Sequence, residues 1–216
     1  MGRLRNIANA GFYPWLEDHF ERVAEQLAGP GDDSRSWMLD PCAGEGAFAR
    51  FLADRLGLKL ATVEINRDRG ERCRALSNHH VTSDALQAEY GHNQFAFIWS
   101  NPPVMTDAAA RMEWRFLRRY RDALAPGGIL AYTIPGRTML RDKAILAHLV
   151  RFYRDHRLFW LPEPNPSGQI LYLGVRRERK TESTQAAADL INVLTSRTHL
   201  LPEACIDPMV IPSLPR

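Results

Sequence analysis

The stretch SWMLDPCAGEGAF, residues 36–48, decides the fold class. Ser36–Asp40 is a short apolar run of the kind a parallel sheet buries on both faces. DPCAGEG is a glycine turn, and Ala47–Leu56 then carries Phe48, Phe51 and Leu52 on one helical face. A glycine turn between a strand and a helix lets a ligand approach the backbone closely. The spacing is Gly44-x-Gly46, with neither the third glycine of a dinucleotide loop nor the Lys-Ser/Thr of a P-loop. What remains is a ligand combining an adenosine with a small zwitterion. Asp40 is placed to accept from an ammonium group, and the N-terminus of the following helix suits a carboxylate.

Outward from this loop the same alternation continues. Strands are expected at Lys59–Glu64, His80–Thr82, Phe95–Ser100, Ile129–Ile134, Leu158–Leu161 and Gln169–Val175. Helices are expected at Pro14–Ala28, Asp68–Leu76, Ala109–Leu124 and Asp142–His156. This pitch predicts an α/β fold with a doubly wound, mostly parallel seven-stranded sheet. One strand is antiparallel, because the last two have no helix between them. The chain divides into an N-terminal lid segment and helix (1–35), the sheet domain (36–180), and a C-terminal helix with a proline-spaced tail (181–216). Leu200, Leu201, Val210, Ile211 and Leu214 in that tail need a surface, on the sheet edge, a second copy or a partner protein.

Three further features fall at expected strand ends. Glu64 closes the second strand, where a carboxylate accepts from ribose hydroxyls. Asp84 follows the third, where it either accepts from an adenine amino group or caps the Ala85–Glu89 turn. The fourth ends in WSNPPV, residues 99–104. Two prolines there fix φ and remove two N–H donors, leaving carbonyls directed into the crevice where open sheets bind ligands. The side-chain oxygen of Asn101 and the Pro102 carbonyl can both accept from one planar NH₂ group. Drawing on its hydrogens shifts such a nitrogen toward sp³, so that it can attack a methyl held in line. A rigid loop exit is the structural alternative.

In this order, DPCAGEGAF, VEIN, SDA, NPPV and LAPGGIL, the chain resembles class I S-adenosylmethionine-dependent methyltransferases. More narrowly it is similar to amino-group enzymes with an Asn-Pro-Pro-aromatic motif, chiefly N6-adenine DNA methyltransferases. It also resembles an uncharacterised family of bacterial, often mobile-element-encoded, methyltransferase-like proteins. The shared features there are RMEWRFL at 111–117, PGG at 126–128 and Gly168-Gln169. The resemblance implies a Rossmann-like methyltransferase fold with S-adenosylmethionine as cofactor. Asp40, Ala43, Gly44 and Gly46 would surround its methionine end, Glu64 and Ile65 its ribose and adenine, and Asp84 and Ala85 its adenine ring. Phe12, Tyr13 and Pro14 would form a lid. Asn101, Pro102, Pro103 and Val104 would be the catalytic segment gripping the target amine. Val104 departs from the family, which has an aromatic that stacks on a flipped base. Trp99, Trp114 and Met105 are the candidate substitutes. The implied activity is methylation of an amino nitrogen, foremost adenine N6 of DNA. RNA guanine N2, a protein glutamine, and a non-catalytic cofactor-binding protein that docks nucleic acid or a partner are the alternatives.

Composition fits this picture. The 216 residues are 45 % hydrophobic and 25 % charged, as in ordinary globular proteins. The three cysteines have no metal-ligand spacing, so a reduced, cytoplasmic protein with no metal is expected. No run approaches the ~20 apolar residues of a membrane span, so no membrane partner is expected. Residues 1–110 carry 11 basic and 15 acidic side chains, whereas residues 111–216 carry 17 and 10. Of the 28 cations 25 are arginine, whose planar fork suits phosphate. RMEWRFLRRYR at 111–121 reads as a phosphate-tracking stripe or as a solvated helix face, and nucleic acid is the expected partner.

Overall fold

Alternation of apolar strand runs with amphipathic helices builds three layers in the computed structural model, which describes residues 18–31, 36–105, 110–163, 165, 167–181 and 183–214. In chain order the elements are α1 (Asp18–Ala24), β1 (Leu27–Ala28), β2 (Trp37–Asp40), α2 (Ala47–Leu56), β3 (Lys59–Glu64), α3 (Arg67–Leu76), β4 (His79–Thr82) and β5 (Phe95–Ser100). There follow α4 (Met112–Tyr120), β6 (Leu124–Pro135), α5 (Gly136–Arg141), α6 (Lys143–Phe152), β7 (Tyr153–Trp160), β8 (Gln169–Arg176), α7 (Thr184–Ser196) and β9 (Met209–Val210).

Seven strands form one sheet in the order β4-β3-β2-β5-β6-β8-β7. The pairs β4–β3, β3–β2, β2–β5 and β5–β6 are parallel, and β8 runs antiparallel to both β6 and β7. The sheet is the Rossmann-like arrangement expected, with its order reversing at β2 and β5. Ligands of open sheets bind at such a switch point, outside the carboxyl ends of the strands.

Period-two alternation divides the core. Ile98, Tyr132, Ile134, Ile170 and Tyr172 face a cluster with Phe116, Leu117, Leu149 and Leu190, which come from α4, α6 and α7. Phe97, Trp99, Ala131, Leu171 and Leu173 face the other way, onto Val23, Leu52, Ala53 and the tail residues Leu201, Met209 and Ile211. The crossover from β4 to β5 forms no helix. It leaves a groove of about 390 Å³ lined by Trp37, Leu39, Val63, Val81, Tyr90 and Phe95.

Three boundaries differ from the sequence reading. The first helix stops at Ala24, and Leu27–Ala28 pairs in parallel with Met209–Val210 of the tail. The helix expected to reach Leu124 ends at Tyr120, because Leu124 is drawn into register with Phe95. The helix expected to reach His156 ends at Phe152, and Tyr153–Trp160 is strand. A bulge between Arg154 and Arg157, with Asp155 at φ 53°, shifts that strand's alternation and hid it from a period-two search.

Candidate active site

The glycine loop owes its shape to two left-handed residues and one buried acid. Gly44 and Gly46 have φ of 58° and 84°, a region L side chains rarely enter. A Cβ on Gly46 would stand 2.9 Å from Cys73 Sγ, so the glycine also lets α2 and α3 approach. Within the loop the Ala43 amide donates to the Val63 carbonyl at 3.0 Å, and the Gly46 amide to the Ala43 carbonyl at 2.9 Å.

Glu64, 5 % exposed at the end of β3, organises that loop. Its Oε2 accepts from the Gly44 amide at 2.9 Å. Its Oε1 accepts from the Asn66 amide at 2.8 Å and from Arg69 Nη2 at 2.8 Å. Asn66 in turn caps α3 by accepting from the Arg69 amide at 3.0 Å. Sequence reasoning gave Glu64 to a ribose and missed Arg69. In the structure Oε1 is fully engaged, and Oε2 keeps one lone pair for a further donor.

Asp40 lies buried at the end of β2, with its Oδ1 accepting from the Cys42 amide at 3.0 Å. Burial pushes its carboxyl up to about 7; the Cys42 hydrogen bond opposes this, and the nearby Glu64 charge adds to it. A carboxyl in that state is a place where a bound cation would restore the ionised form. Ile65, just beyond Glu64, is 44 % exposed. Asp84 lies in the loop after β4, with Oδ1 accepting from the Leu86 amide at 2.9 Å, so the turn cap weighed from the sequence is formed. Ala85 is buried, and its carbonyl accepts from the Tyr120 hydroxyl at 2.6 Å. Phe12, Tyr13 and Pro14 lie outside the described residues.

Asn101 follows β5 and is half-buried. One buried hydroxyl fixes it. Thr133 of β6, fully buried, donates from Oγ1 to Asn101 Oδ1 at 2.9 Å. The thiol of Cys42 in the glycine loop has its pKa driven well up by burial and by the Asp40 charge. Pro102 is buried, Pro103 and Val104 are half-buried, and the Met105 amide returns to the Pro103 carbonyl at 3.1 Å. Beside the turn, Gln169 is only 8 % exposed, and its Nε2 has no hydrogen-bond partner among the described residues. Gln169 pairs with Pro135 at the same end of the sheet.

Of the suggested substitutes for the missing aromatic, Trp99 is excluded. It is 2 % exposed and packs edge-on against Phe48 at 4.6 Å between centroids. Trp114 is taken up by His148 at 5.3 Å and by Arg118. The structure thus gathers Asp40, Ala43, Gly44, Gly46, Glu64, Ile65, Asp84, Ala85 and Asn101–Val104 at one end of the sheet. Of the polar periphery of that set, Arg69 and Thr133 were missed, and Gln169 was noted only as a feature of the resemblance, with no role. The only signal for Thr133 was a lone hydroxyl in the apolar run ILAYTIP. Among the described residues no cluster of His, Cys, Asp and Glu could hold a metal ion, and no helix is long and apolar enough to cross a membrane.

Comparison with known proteins agrees with the fold. A family model described as an uncharacterised methyltransferase family (DUF6094) matches residues 1–208. No curated protein matches. Among solved structures, a putative class I S-adenosylmethionine-dependent methyltransferase from Listeria monocytogenes superimposes with a TM-score of 0.61 at 10 % identity, over 84 % of this chain and 73 % of that one. A type I restriction-modification methyltransferase subunit from Streptococcus thermophilus gives 0.60 at 13 % identity, over 88 % of this chain and 54 % of that one. TYW2 of M. jannaschii, solved in complex with AdoMet, gives 0.55 at 13 % identity, over 77 % and 78 %.

Proposed function

Because the chain belongs to this uncharacterised methyltransferase family, we propose that it transfers a methyl group from S-adenosylmethionine to an amino nitrogen, with adenine N6 of DNA as the foremost target. The arrangement that carries this reading is the parallel pairing of β2 with β5, Leu39 opposite Ile98, which sets the Asn101 carboxamide, held by Thr133, at the same sheet end as Asp40 and the glycine loop.

The residues fit the cofactor. Asp40, buried with a raised pKa, suits an ammonium group. The loop backbone at Gly44 and Gly46 admits close approach, and the free lone pair of Glu64 Oε2 suits a ribose hydroxyl. Ile65 and Ala85 offer apolar flanks to a purine, and Asp84 an acceptor. The bound cofactor supplies an electrophilic methyl on a sulfonium. Asn101 Oδ1, one lone pair held by Thr133, has a second for a hydrogen of the target amine. The Pro102 carbonyl takes the other hydrogen. Together they orient the nitrogen lone pair toward the methyl and stabilise the positive charge that develops on nitrogen during transfer.

Nucleic acid as the substrate class is supported by the arginine-rich C-terminal half and by the likeness to the restriction-modification subunit. Guanine N2 of RNA and a protein glutamine are the alternative amines, and Val104, where a base-stacking aromatic would stand, favours a cofactor-binding protein that docks nucleic acid or a partner without transferring methyl. Labelled methyl transfer to DNA, RNA and protein pools in parallel decides between them. Asn101→Ala should lower transfer by a factor of ~10²–10³ while leaving cofactor affinity nearly intact. Equal transfer by wild type and Asn101→Ala would remove the carboxamide from the chemistry. No transfer to any pool would leave a cofactor-binding docking protein.

A further inference from the structure

The outer face of α4 carries an unusual density of like charge. Arg111, Arg115 and Arg118 follow at intervals of four and three, and Arg121 ends the helix. Like charges at these spacings destabilise a helix, and Arg111 stands at the N-cap, where the helix dipole disfavours a cation. Glu113 is buried and 3.6 Å from Arg111, and Asp122 is shared by Arg121 and Arg176. Arg118 and, on the neighbouring α6, Arg151 form no ion pair among the described residues.

The guanidinium groups are also held in place. Arg118 lies 5.9 Å from the Trp114 ring, while Arg121 and Arg151 lie 4.5 and 5.7 Å from Phe152. His148 wedges between those rings, 5.3 Å from Trp114 and 4.6 Å from Phe152. It stays neutral, its pKa pushed down to about 4 by burial and then by Arg121 and Arg118. The first turn of α4 is tied to the Asn-Pro-Pro loop by the Met112 amide on the Met105 carbonyl at 2.9 Å. Past the last turn, the Asp122 carbonyl accepts from Asn93 at the opposite end of the sheet. The stripe therefore leads away from the amine site over about 14 Å, roughly four base steps of a B-form strand.

We propose that this arginine–aromatic face, Arg118 and Arg151 beside Trp114 and Phe152, binds the phosphodiester backbone of a nucleic-acid strand outside the methyl-transfer site, the Arg121 fork being taken by Asp122 at 2.7–2.8 Å. Planar guanidinium forks match phosphate oxygens, and stacking on rings limits the side-chain freedom lost on binding. The rings are half-buried, so they offer edges to bases and little surface to an apolar protein partner. Only the naming of that strand as substrate rests on the methyl-transfer reading; the binding itself does not.

The test is fluorescence anisotropy of a labelled oligonucleotide, single-stranded and duplex, titrated with the full chain at several salt concentrations. The double variant Arg118→Ala/Arg151→Ala should bind about tenfold more weakly at low salt. Its slope of log affinity against log salt should fall by about 1.5, since each phosphate contact contributes ~0.7–0.9. S-adenosylhomocysteine affinity and thermal unfolding should stay as in wild type. Arg55→Ala/Arg74→Ala, which removes two exposed cations elsewhere, should change neither quantity. Unchanged affinity and slope in the first variant would overturn the proposal, as would a wild type that binds no oligonucleotide but captures an acidic polypeptide. Methyl transfer that persists alongside an unaltered slope would sink this inference and leave the transferase reading standing. Loss of binding in a protein that transfers no methyl would do the reverse.

Discussion

At the residue scale the site is built from buried polar atoms held by a few named partners. The Thr133–Asn101 hydrogen bond fixes which way the carboxamide points. Thr133→Val keeps the side-chain shape and removes the donor, so kcat should fall by about three- to tenfold, the worth of one neutral hydrogen bond, with KM unchanged. Thr133→Ser should restore it. Equal kcat in the valine and serine variants would show that the threonine only fills space. Asp40 gives a pH signature. Its pKa is near 3.8 in the unfolded chain and about 7 when folded, so the folded state holds an extra proton between those values. Without ligand, this group makes stability decline as pH rises through that window. Binding of a cation calls for the ionised form, so S-adenosylmethionine affinity should climb with pH, by up to about tenfold per unit, and level off above 7. Calorimetry from pH 5.5 to 8 measures this, and Asp40→Asn should flatten the curve; a wild-type curve already flat would place the ammonium elsewhere. Asp40, Glu64 and Asn101 were legible because each closes an apolar strand run. Arg69, Thr133 and Gln169 were not, since their roles arise from partners on other strands or loops that no local pattern encodes.

Among elements, the turn from β2 into α2 is the one whose geometry is least replaceable. Gly46→Ala would set a Cβ at φ 84° and 2.9 Å from Cys73 Sγ, with Cys73 Cα at 3.2 Å. The left-handed backbone alone costs ~1–2 kcal/mol. Relieving the contact means parting α2 from α3, so the total should exceed about 2 kcal/mol. Urea unfolding measures it, and a loss under 0.5 kcal/mol, roughly the scatter of ordinary surface substitutions, would show that the helices give way freely. Strands β3 and β5 and helix α2 fall where their residues predicted, because each is a clean apolar run between strong breakers. Elsewhere the pattern misled. Ala123–Ala125 fits either a helix or a strand, and Phe95, bonding the Ala123 carbonyl at 3.0 Å, decides for the sheet. The crossover between β4 and β5 showed no helical period, and it has none.

On the scale of the whole molecule, the tail belongs to the core of its own chain. Leu190 and Leu194 of α7 pack on one side of the sheet, and Leu201, Met209 and Ile211 on the other. Leu200 bridges to Trp160, and the Leu201 amide donates to the Trp160 carbonyl at 2.8 Å. Burying five such side chains is worth roughly 8–15 kcal/mol before entropy is charged, comparable with the net stability of a domain. A chain ending at Lys180 should therefore lose its near-ultraviolet circular dichroism and aggregate. A soluble monomer with wild-type melting would show that the tail contributes nothing. From the sequence, the tail's need for a surface was evident and the surface was not, because the edge it closes, Leu27–Ala28, read as helix. That two-residue pairing also imposes an order on biosynthesis. Leu27 meets Met209 across about 180 residues, and closing so long a loop costs about 4–5 kcal/mol from its length alone. The sheet can assemble on the ribosome strand by strand as the chain emerges, but the flank of Val23, Leu27 and Leu52 stays bare until Leu201, Met209 and Ile211 have cleared the exit tunnel. For that interval the nascent chain exposes an apolar flank of the kind chaperones shield, and the pairing of Leu27–Ala28 with Met209–Val210 follows the assembly of the sheet between them.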